Sequence, residues 1–209
     1  MNSFLKITIL AFSISTLVAN AQQDTTKLFY AKKIQSNAFV ELGSNIMQSY
    51  DKAGMDVKIS VNWLVQHKYY IGAAYNQLAS KETFMSLKNT DSEIIFDETK
   101  VKYQTLGLQF GYIFFPDQKI ISLSPDLTVG WAGVRLNTDT VTNKINGAYI
   151  SPAVKGVFNV SKYFRIGLEL NYNIFAIKQF ETDDKYFIKF QGKDLNGIGG
   201  GIFFRIGSF

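Results

Sequence analysis

The sequence predicts an all-β protein: an eight-stranded antiparallel up-and-down β-barrel of the transmembrane kind. Three observations predict it. Apolar and polar residues alternate with period 2 through eight long segments. The connections between these segments alternate between tight turns and longer polar loops. The small residues gather on the less apolar of the two faces.

The composition removes the competing classes. With 46% hydrophobic and 15% aromatic residues against 19% charged, the 209-residue chain is too apolar to stay disordered. It has no Cys, which excludes a disulfide scaffold, thiol chemistry and zinc–thiolate sites. A single His, His67, excludes multi-His metal centres and leaves little room for His-based catalysis. The net charge of +5 is too modest to indicate nucleic acid. The mean hydropathy of 0.00 matches an ordinary soluble protein, and only the arrangement of the residues says otherwise.

Residues 1–21 read as a secretory signal peptide. Lys6 gives a positive start, Ile7 to Val18 is apolar but short for a membrane span, and Ala19-Asn20-Ala21 is a small-x-small cleavage site. The mature chain is then expected to begin at Gln22, with Gln22 to Gln35 a polar, flexible periplasmic segment and 36–209 the barrel. No later window is apolar for long enough to form a transmembrane helix, so any crossing must be made by strands.

The eight segments are 37–48, 54–65, 68–79, 101–115, 119–136, 147–160, 162–177 and 194–208. Each is longer than the usual five or six residues of a globular strand and long enough for a tilted membrane strand. The first carries Glu41 on its polar face. In the second, Met55, Val57, Ile59, Val61, Trp63 and Val65 share one face, and Asp56, Lys58, Ser60 and Asn62 the other. A helix would scatter these sets, whereas a strand separates them. The third alternates Tyr69 and Tyr75 with Gly72 and Ala74, and the fourth sets Tyr112 and Phe114 against Gly107 and Gly111. The fifth places Trp131 opposite in parity to Asp126 and Gly130, and the sixth does the same with Phe158 and Lys155. In the seventh, Phe164, Ile166, Leu168, Leu170, Tyr172 and Ile174 alternate with Arg165, Gly167, Glu169, Asn171 and Asn173. The eighth opposes Phe204 to Gly197, Gly199, Gly201 and Arg205.

Tight turns are expected at Gln66-His67, at Pro116 to Lys119 and at Asn159 to Ser161. Ser80 to Lys100, Asn137 to Asn146 and Lys178 to Lys193 read as long loops, and Ser49 to Ala53 as a short link. Short turns at one end and long loops at the other describe a barrel with turns in the periplasm and loops outside the cell. A soluble barrel would dress its outside with charge. Here the bulky aromatic face suits lipid, and the small residues suit a narrow lumen. Trp63, Tyr69, Tyr112, Phe114, Phe158, Phe164 and Phe204 form the expected girdle at the turn end. Tyr75, Tyr103, Trp131 and Tyr172 form the one at the loop end.

The lumen charges are Glu41, Asp56, Lys58, Asp126, Lys155, Arg165, Glu169 and Arg205, four acids and four bases. Buried charges must pair, and an eight-stranded lumen is just wide enough for side chains to fill, so they predict an ion-pair plug and no conducting path. Glu41 is expected to bridge Arg205 and Arg165. In the loops, Phe84, Met85, Phe180, Tyr186 and Phe187 are apolar residues that a surface protein partner could contact. The acidic groups Asp91, Glu93, Asp97 and Glu98, and Glu181, Asp183 and Asp184, read as solvated loop ends; the sharper reading is divalent ions bridging lipopolysaccharide. His67 reads as a solvated turn residue. Gly197 to Gly201 lacks the Lys-Ser/Thr of a phosphate loop.

Several runs resemble a known group. Trp63 to Tyr75, Leu106 to Phe114, Ser151-Pro152-Ala153-Val154 and Asn159 to Gly167 are similar to hairpins of small secreted outer-membrane β-barrels of Bacteroidota, of the OmpX/OmpA-like eight-stranded type. The likeness spans residues 54 to 209. It implies an integral outer-membrane protein and carries no catalytic residue, cofactor or metal. It also implies outer-membrane lipid, lipopolysaccharide and the barrel insertion machinery as partners. One departure is that Phe209 does not share the parity of Ile202, Phe204 and Ile206, so either the strand bulges near Gly207 or Phe209 lies past the ladder. The expected function is a non-enzymatic, filled barrel that stabilises the envelope or binds at the surface. The alternatives are a lipid A- or phospholipid-modifying enzyme and a narrow channel.

Overall fold

A computed structural model describes residues 36–49, 52–79, 84–88, 95–116, 120–137, 142–177 and 195–209. The expected signal peptide and N-terminal segment lie outside them. The strands are β1 (Ser36–Ser49), β2 (Lys52–Val65), β3 (Tyr69–Leu78), β4 (Phe84–Lys88), β5 (Ile95–Tyr112), β6 (Ile121–Asn137), β7 (Thr142–Asn159), β8 (Phe164–Ile177) and β9 (Gly197–Gly207). All pairings are antiparallel. The sheet runs β3-β2-β1-β9-β8-β7-β6-β5-β4, and the pairing of β3 with β5 closes it. The closed barrel therefore has eight strands, because β4 pairs only with the outer end of β5, beyond the closing seam. This is the predicted architecture.

Two loop expectations need correction. Ser80 to Lys100 holds β4 and the first residues of β5, which together make a hairpin beyond the barrel. Asn137 to Asn146 is no long loop either, since β6 and β7 stay paired out to Asn137 and Thr142. Polar runs, Lys88 to Glu93 and Asn137 to Thr140, interrupt period 2 in the sequence, while the strand residues on either side of them stay paired.

Side-chain parity is uniform around the barrel. Bulky apolar residues face outward and remain exposed, among them Ile46, Leu106, Leu170 and Ile198. The lumen is filled in three layers. At the turn end Phe39, Leu64, Tyr70 and Ile113 pack together, with Phe209 against them. Charged and amide side chains fill the middle. At the loop end Met47, Leu78, Val101, Tyr103, Ala132, Val134, Ile145, Tyr149, Phe175, Ile177 and Leu195 close the barrel.

The filling follows a pairwise rule. Tyr70 lies over its register partner Gly111, and Phe203 over Gly167. In the polar middle the same role falls to asparagines, with Asn62 over Gly72, Asn45 over Gly201 and Asn171 over Gly199. In each pair a large side chain occupies the volume that the facing residue lacks. A narrow cylinder of fixed circumference leaves few other ways to reach native packing density.

Candidate functional site

The middle layer is a compact ion cluster drawn from six strands. Lys155 on β7 is its hub. Its ammonium donates to Glu41 Oε1 at 2.7 Å and to Asp126 Oδ2 at 2.7 Å, and it lies 3.3 Å from Glu169 Oε2. The ammonium thus donates to two carboxylates and lies within ion-pair distance of a third. Lys58 on β2 donates to Glu169 Oε2 at 3.2 Å and stands 3.8 Å from Glu41 Oε1. Arg205 on β9 donates from Nε to Glu41 Oε2 at 2.7 Å and from Nη2 to the Tyr70 hydroxyl at 3.3 Å. Three carboxylates thus meet three cations, all buried, and the formal charge of the cluster is zero.

Neutral groups complete the shell. The Tyr70 hydroxyl donates to Asp126 Oδ2 at 2.9 Å and lies 3.1 Å from Ser124 Oγ. Gln109 also donates to Asp126. Asn171 donates to Glu169 Oε1 at 2.9 Å. The aromatic floor takes part too, since the Arg205 guanidinium carbon sits 5.0 Å from the Phe39 centroid and 5.0 Å from that of Phe203.

Of the eight predicted lumen charges, the structure brings six together: Glu41, Lys58, Asp126, Lys155, Glu169 and Arg205. The other two stand apart. Asp56 belongs to the loop-end layer, where Tyr103 donates to its Oδ2 at 3.1 Å. Around it Tyr149 donates to Asn173 Oδ1 at 2.8 Å, and Asn76 donates to the Tyr149 hydroxyl at 3.2 Å. Arg165 turns toward the turn-end opening and stacks on Phe209, its guanidinium carbon 3.8 Å from the ring centroid. The expected Glu41–Arg165 bridge is therefore replaced. Arg165 pairs in register with Arg205, a like charge, and it is Lys155 and Arg205 that hold the two Glu41 oxygens. Tyr70, Gln109 and Asn171 are the functional neighbours that sequence reasoning missed. Their parity, shared with Gly72, Gly111 and Gly167, already assigned them to the lumen.

The girdle residues Trp63, Tyr69, Tyr112, Phe114, Trp131, Phe158, Phe164, Tyr172 and Phe204 all lie on the outward parity. Tyr69 and Tyr112 are 5.0 Å apart between centroids, Tyr112 and Phe114 4.8 Å, and Phe164 stacks on Phe204 at 6.1 Å. Tyr103 is a correction. It shares the odd parity of Gly107 and Gly111 and is buried in the lumen. Phe209 follows the end of β9, past the ladder, and packs 5.4 Å from Phe39 as part of the turn-end seal.

His67 and Gln66 form a two-residue turn in which Lys68 N–H donates to Val65 O at 3.1 Å, and both have left-handed φ, 57° and 53°. His67 Nδ1 lies 3.5 Å from Asn37 Nδ2. The apolar loop positions Phe84 and Met85 fall on β4, with side chains outside the description. Phe180, Tyr186 and Phe187 lie outside the described residues altogether, as do Asp91, Glu93, Glu181, Asp183 and Asp184. Asp97 and Glu98 fall on the outer end of β5, again with side chains outside the description.

No family model matches the sequence, and no curated protein matches it. Solved structures do. Neisserial surface protein A superposes with a TM-score of 0.54 at 11% identity, over 85% of this chain and 100% of that one. A major outer membrane protein from Thermus thermophilus gives 0.53 at 10%, over 82% and 98%. The N-terminal β-barrel domain of Pseudomonas aeruginosa OprF gives 0.51 at 9%, over 84% and 99%. The chain has the eight-stranded closed β-barrel fold that these outer-membrane proteins share.

Proposed function

We propose that the protein is an integral outer-membrane barrel with a plugged lumen and no enzymatic activity. Its work is done by its outer wall and loop end, as an envelope-stabilising or surface-binding protein. The observation that carries this reading is the inversion of polarity. A neutral ion cluster lies inside, flanked by largely apolar layers at both ends, within a wall whose outward residues are mostly apolar. On β6 the outward set Ile121, Leu123, Pro125, Leu127, Val129 and Trp131 is wholly apolar. From Ile121 to Trp131 this spans ~34 Å along the strand. With a tilt of about 40° the band is ~26 Å tall, the height of a bilayer's hydrocarbon belt. Residues 1–21 would serve as the export signal, and the insertion machinery would place the barrel with its turns in the periplasm.

The test is refolding into phospholipid vesicles and planar bilayers. The expected result is a heat-modifiable, protease-resistant barrel that leaves the bilayer without a stable open conductance. A large, steady single-channel conductance would overturn the plugged reading. A changed acyl or phosphate pattern in the envelope lipids of a deletion strain would overturn the non-enzymatic one.

A further inference from the structure

The outward-facing strand positions are almost free of charge. Among the described side chains they carry three charged residues, Lys102 on β5, Arg135 on β6 and Lys144 on β7. All three are cations and all three are exposed. Register sets them side by side: Lys102 faces Arg135, and Arg135 faces Lys144. Like charges directly opposite on neighbouring strands repel, so the row is unfavourable unless something anionic lies across it. Among the described side chains no carboxylate comes within ion-pair distance of them. Nor do the described side chains continue the row as a ring: near the same end β8 presents Ile174 and Ala176, β9 Ile198, β1 Ile46 and Gln48, β2 Ala53 and Met55, and β3 Gln77.

The wall beneath the row is also particular. One step down lie Gln104, Gly133 and Asn146, in register. The two amides flank the notch that glycine leaves: a Cβ at Gly133 would meet Asn146 Oδ1 at 3.4 Å and Gln104 Cγ at 3.9 Å. Gln104 Oε1 accepts from the Tyr75 hydroxyl at 3.2 Å, which leaves the amide nitrogen of Gln104 as a donor. The next step down is Leu106, Trp131 and Ala148, with Trp131 75% exposed. From outside inward the wall therefore offers three cations, then two amides around a notch, then an indole and aliphatic surface. A lipid has the same order: anion, polar linkage, acyl chains.

We propose that Lys102, Arg135 and Lys144 bind the phosphate-monoester headgroup of a lipid in the leaflet at the loop end. Gln104 and Asn146 contact its glycerol or sugar portion, and Trp131 meets the start of its chains. The assignment deepens the membrane reading above and rests on it. A lipid is favoured over a soluble polyanion because the row sits on the side of the wall, directly above the apolar band, where the neighbour is the bilayer. Arg135 is four residues from Trp131, ~13 Å along the strand. After a tilt of about 40° it stands ~10 Å above the indole, within reach of the headgroup for a snorkelling side chain.

The test uses the full barrel carrying Trp63→Phe, so that Trp131 is the sole indole. It is refolded into phosphatidylcholine vesicles containing either dibrominated phosphatidic acid or dibrominated phosphatidylcholine at the same mole fraction. Bromine on the chains quenches Trp131 according to which lipid occupies the site. The phosphatidic acid is expected to quench far more strongly. Each cation is expected to contribute about fivefold to the relative association constant, so Lys102→Gln/Arg135→Gln/Lys144→Gln loses on the order of a hundredfold and brings the two lipids level. Raised salt should erode the preference of the unaltered row, and Arg135→Gln alone should lose the fivefold share, which keeps the test alive if the triple variant does not fold. Equal quenching by both lipids in the parent overturns the row while leaving the membrane reading intact. No quenching by either overturns the membrane reading itself. Equal lipid quenching together with row-dependent binding of a soluble sulfated polysaccharide overturns the choice of a lipid.

Discussion

Replacing Lys155 with Met removes the one cation that touches all three carboxylates of the lumen cluster. The consequences differ for each. Glu41 keeps Arg205 at 2.7 Å, and Glu169 keeps Lys58 at 3.2 Å. Asp126 has no second cation among the described residues and would retain only Tyr70, at 2.9 Å, and Gln109. The variant therefore strands one carboxylate in the buried middle of the lumen, a change that costs about 3–5 kcal/mol. Against a typical total of about 5–15 kcal/mol this is a large share. Neutralising the stranded group should undo part of the damage, so Lys155→Met/Asp126→Asn should be more stable than Lys155→Met by about 1–3 kcal/mol. The assay is guanidinium unfolding of the barrel in lipid vesicles, followed by the fluorescence of Trp63 and Trp131. A Lys155→Met barrel within about 0.5 kcal/mol of the parent, smaller than any buried-pair loss, would refute the hub. A double variant less stable than the single one would refute the charge argument specifically.

Three further outcomes follow from the geometry. Arg205→Gln should destabilise by about 3–5 kcal/mol in the same unfolding assay, whereas Arg165→Gln, which loses only its stacking on Phe209, should cost about 1 kcal/mol or less. Gly111→Ala and Gly167→Ala drive a methyl into the Tyr70 and Phe203 rings and should each cost about 1–3 kcal/mol, read as a lowered midpoint of heat modifiability. Gly156→Ala, which points outward with nothing within 4 Å, should instead gain about 0.4–1 kcal/mol. Exchanging Gln66-His67 for Asn-Gly puts residues suited to left-handed φ at both turn positions and should raise stability by about 1–2 kcal/mol; an unchanged midpoint would show that the turn carries no strain.

Much of the fold was legible because a strand has a period of two, so one well-placed residue assigns a face to all its neighbours. Met55 to Val65 and Phe164 to Ile174 fixed the outer wall in this way, and Gly107 with Gly111 located the lumen side of β5. The misplacement of Tyr103 came from weighing its residue type above its parity, since a tyrosine near a strand end resembles a girdle residue. The extra length of β5 and β7 was hidden because Ile95 and Phe96 are adjacent and Ile145 stands alone among polar residues, so neither stretch shows period 2. The membership of the charge cluster was partly legible from sign and parity, but the contacts were not. Glu41 and Lys155 belong to strands that are not neighbours and meet across the lumen, and such meetings depend on tilt and stagger, which adjacent-strand patterns do not encode. Arg165 shows the same limit, because it is Arg205, its register partner, that holds Glu41, while Arg165 lies on Phe209.

The glycine pairs set a rule for how this chain can change over time. Phe203 and Gly167, Tyr70 and Gly111, Asn62 and Gly72 each divide one fixed volume between two positions. Enlarging one partner without shrinking the other overfills the cylinder, and shrinking one alone leaves a void. Viable descendants are therefore expected to move through exchanges, glycine crossing to the facing strand as the ring or amide crosses back. Read along each strand, such positions would look freely variable. Read across the ladder, their combined volume would be the conserved quantity.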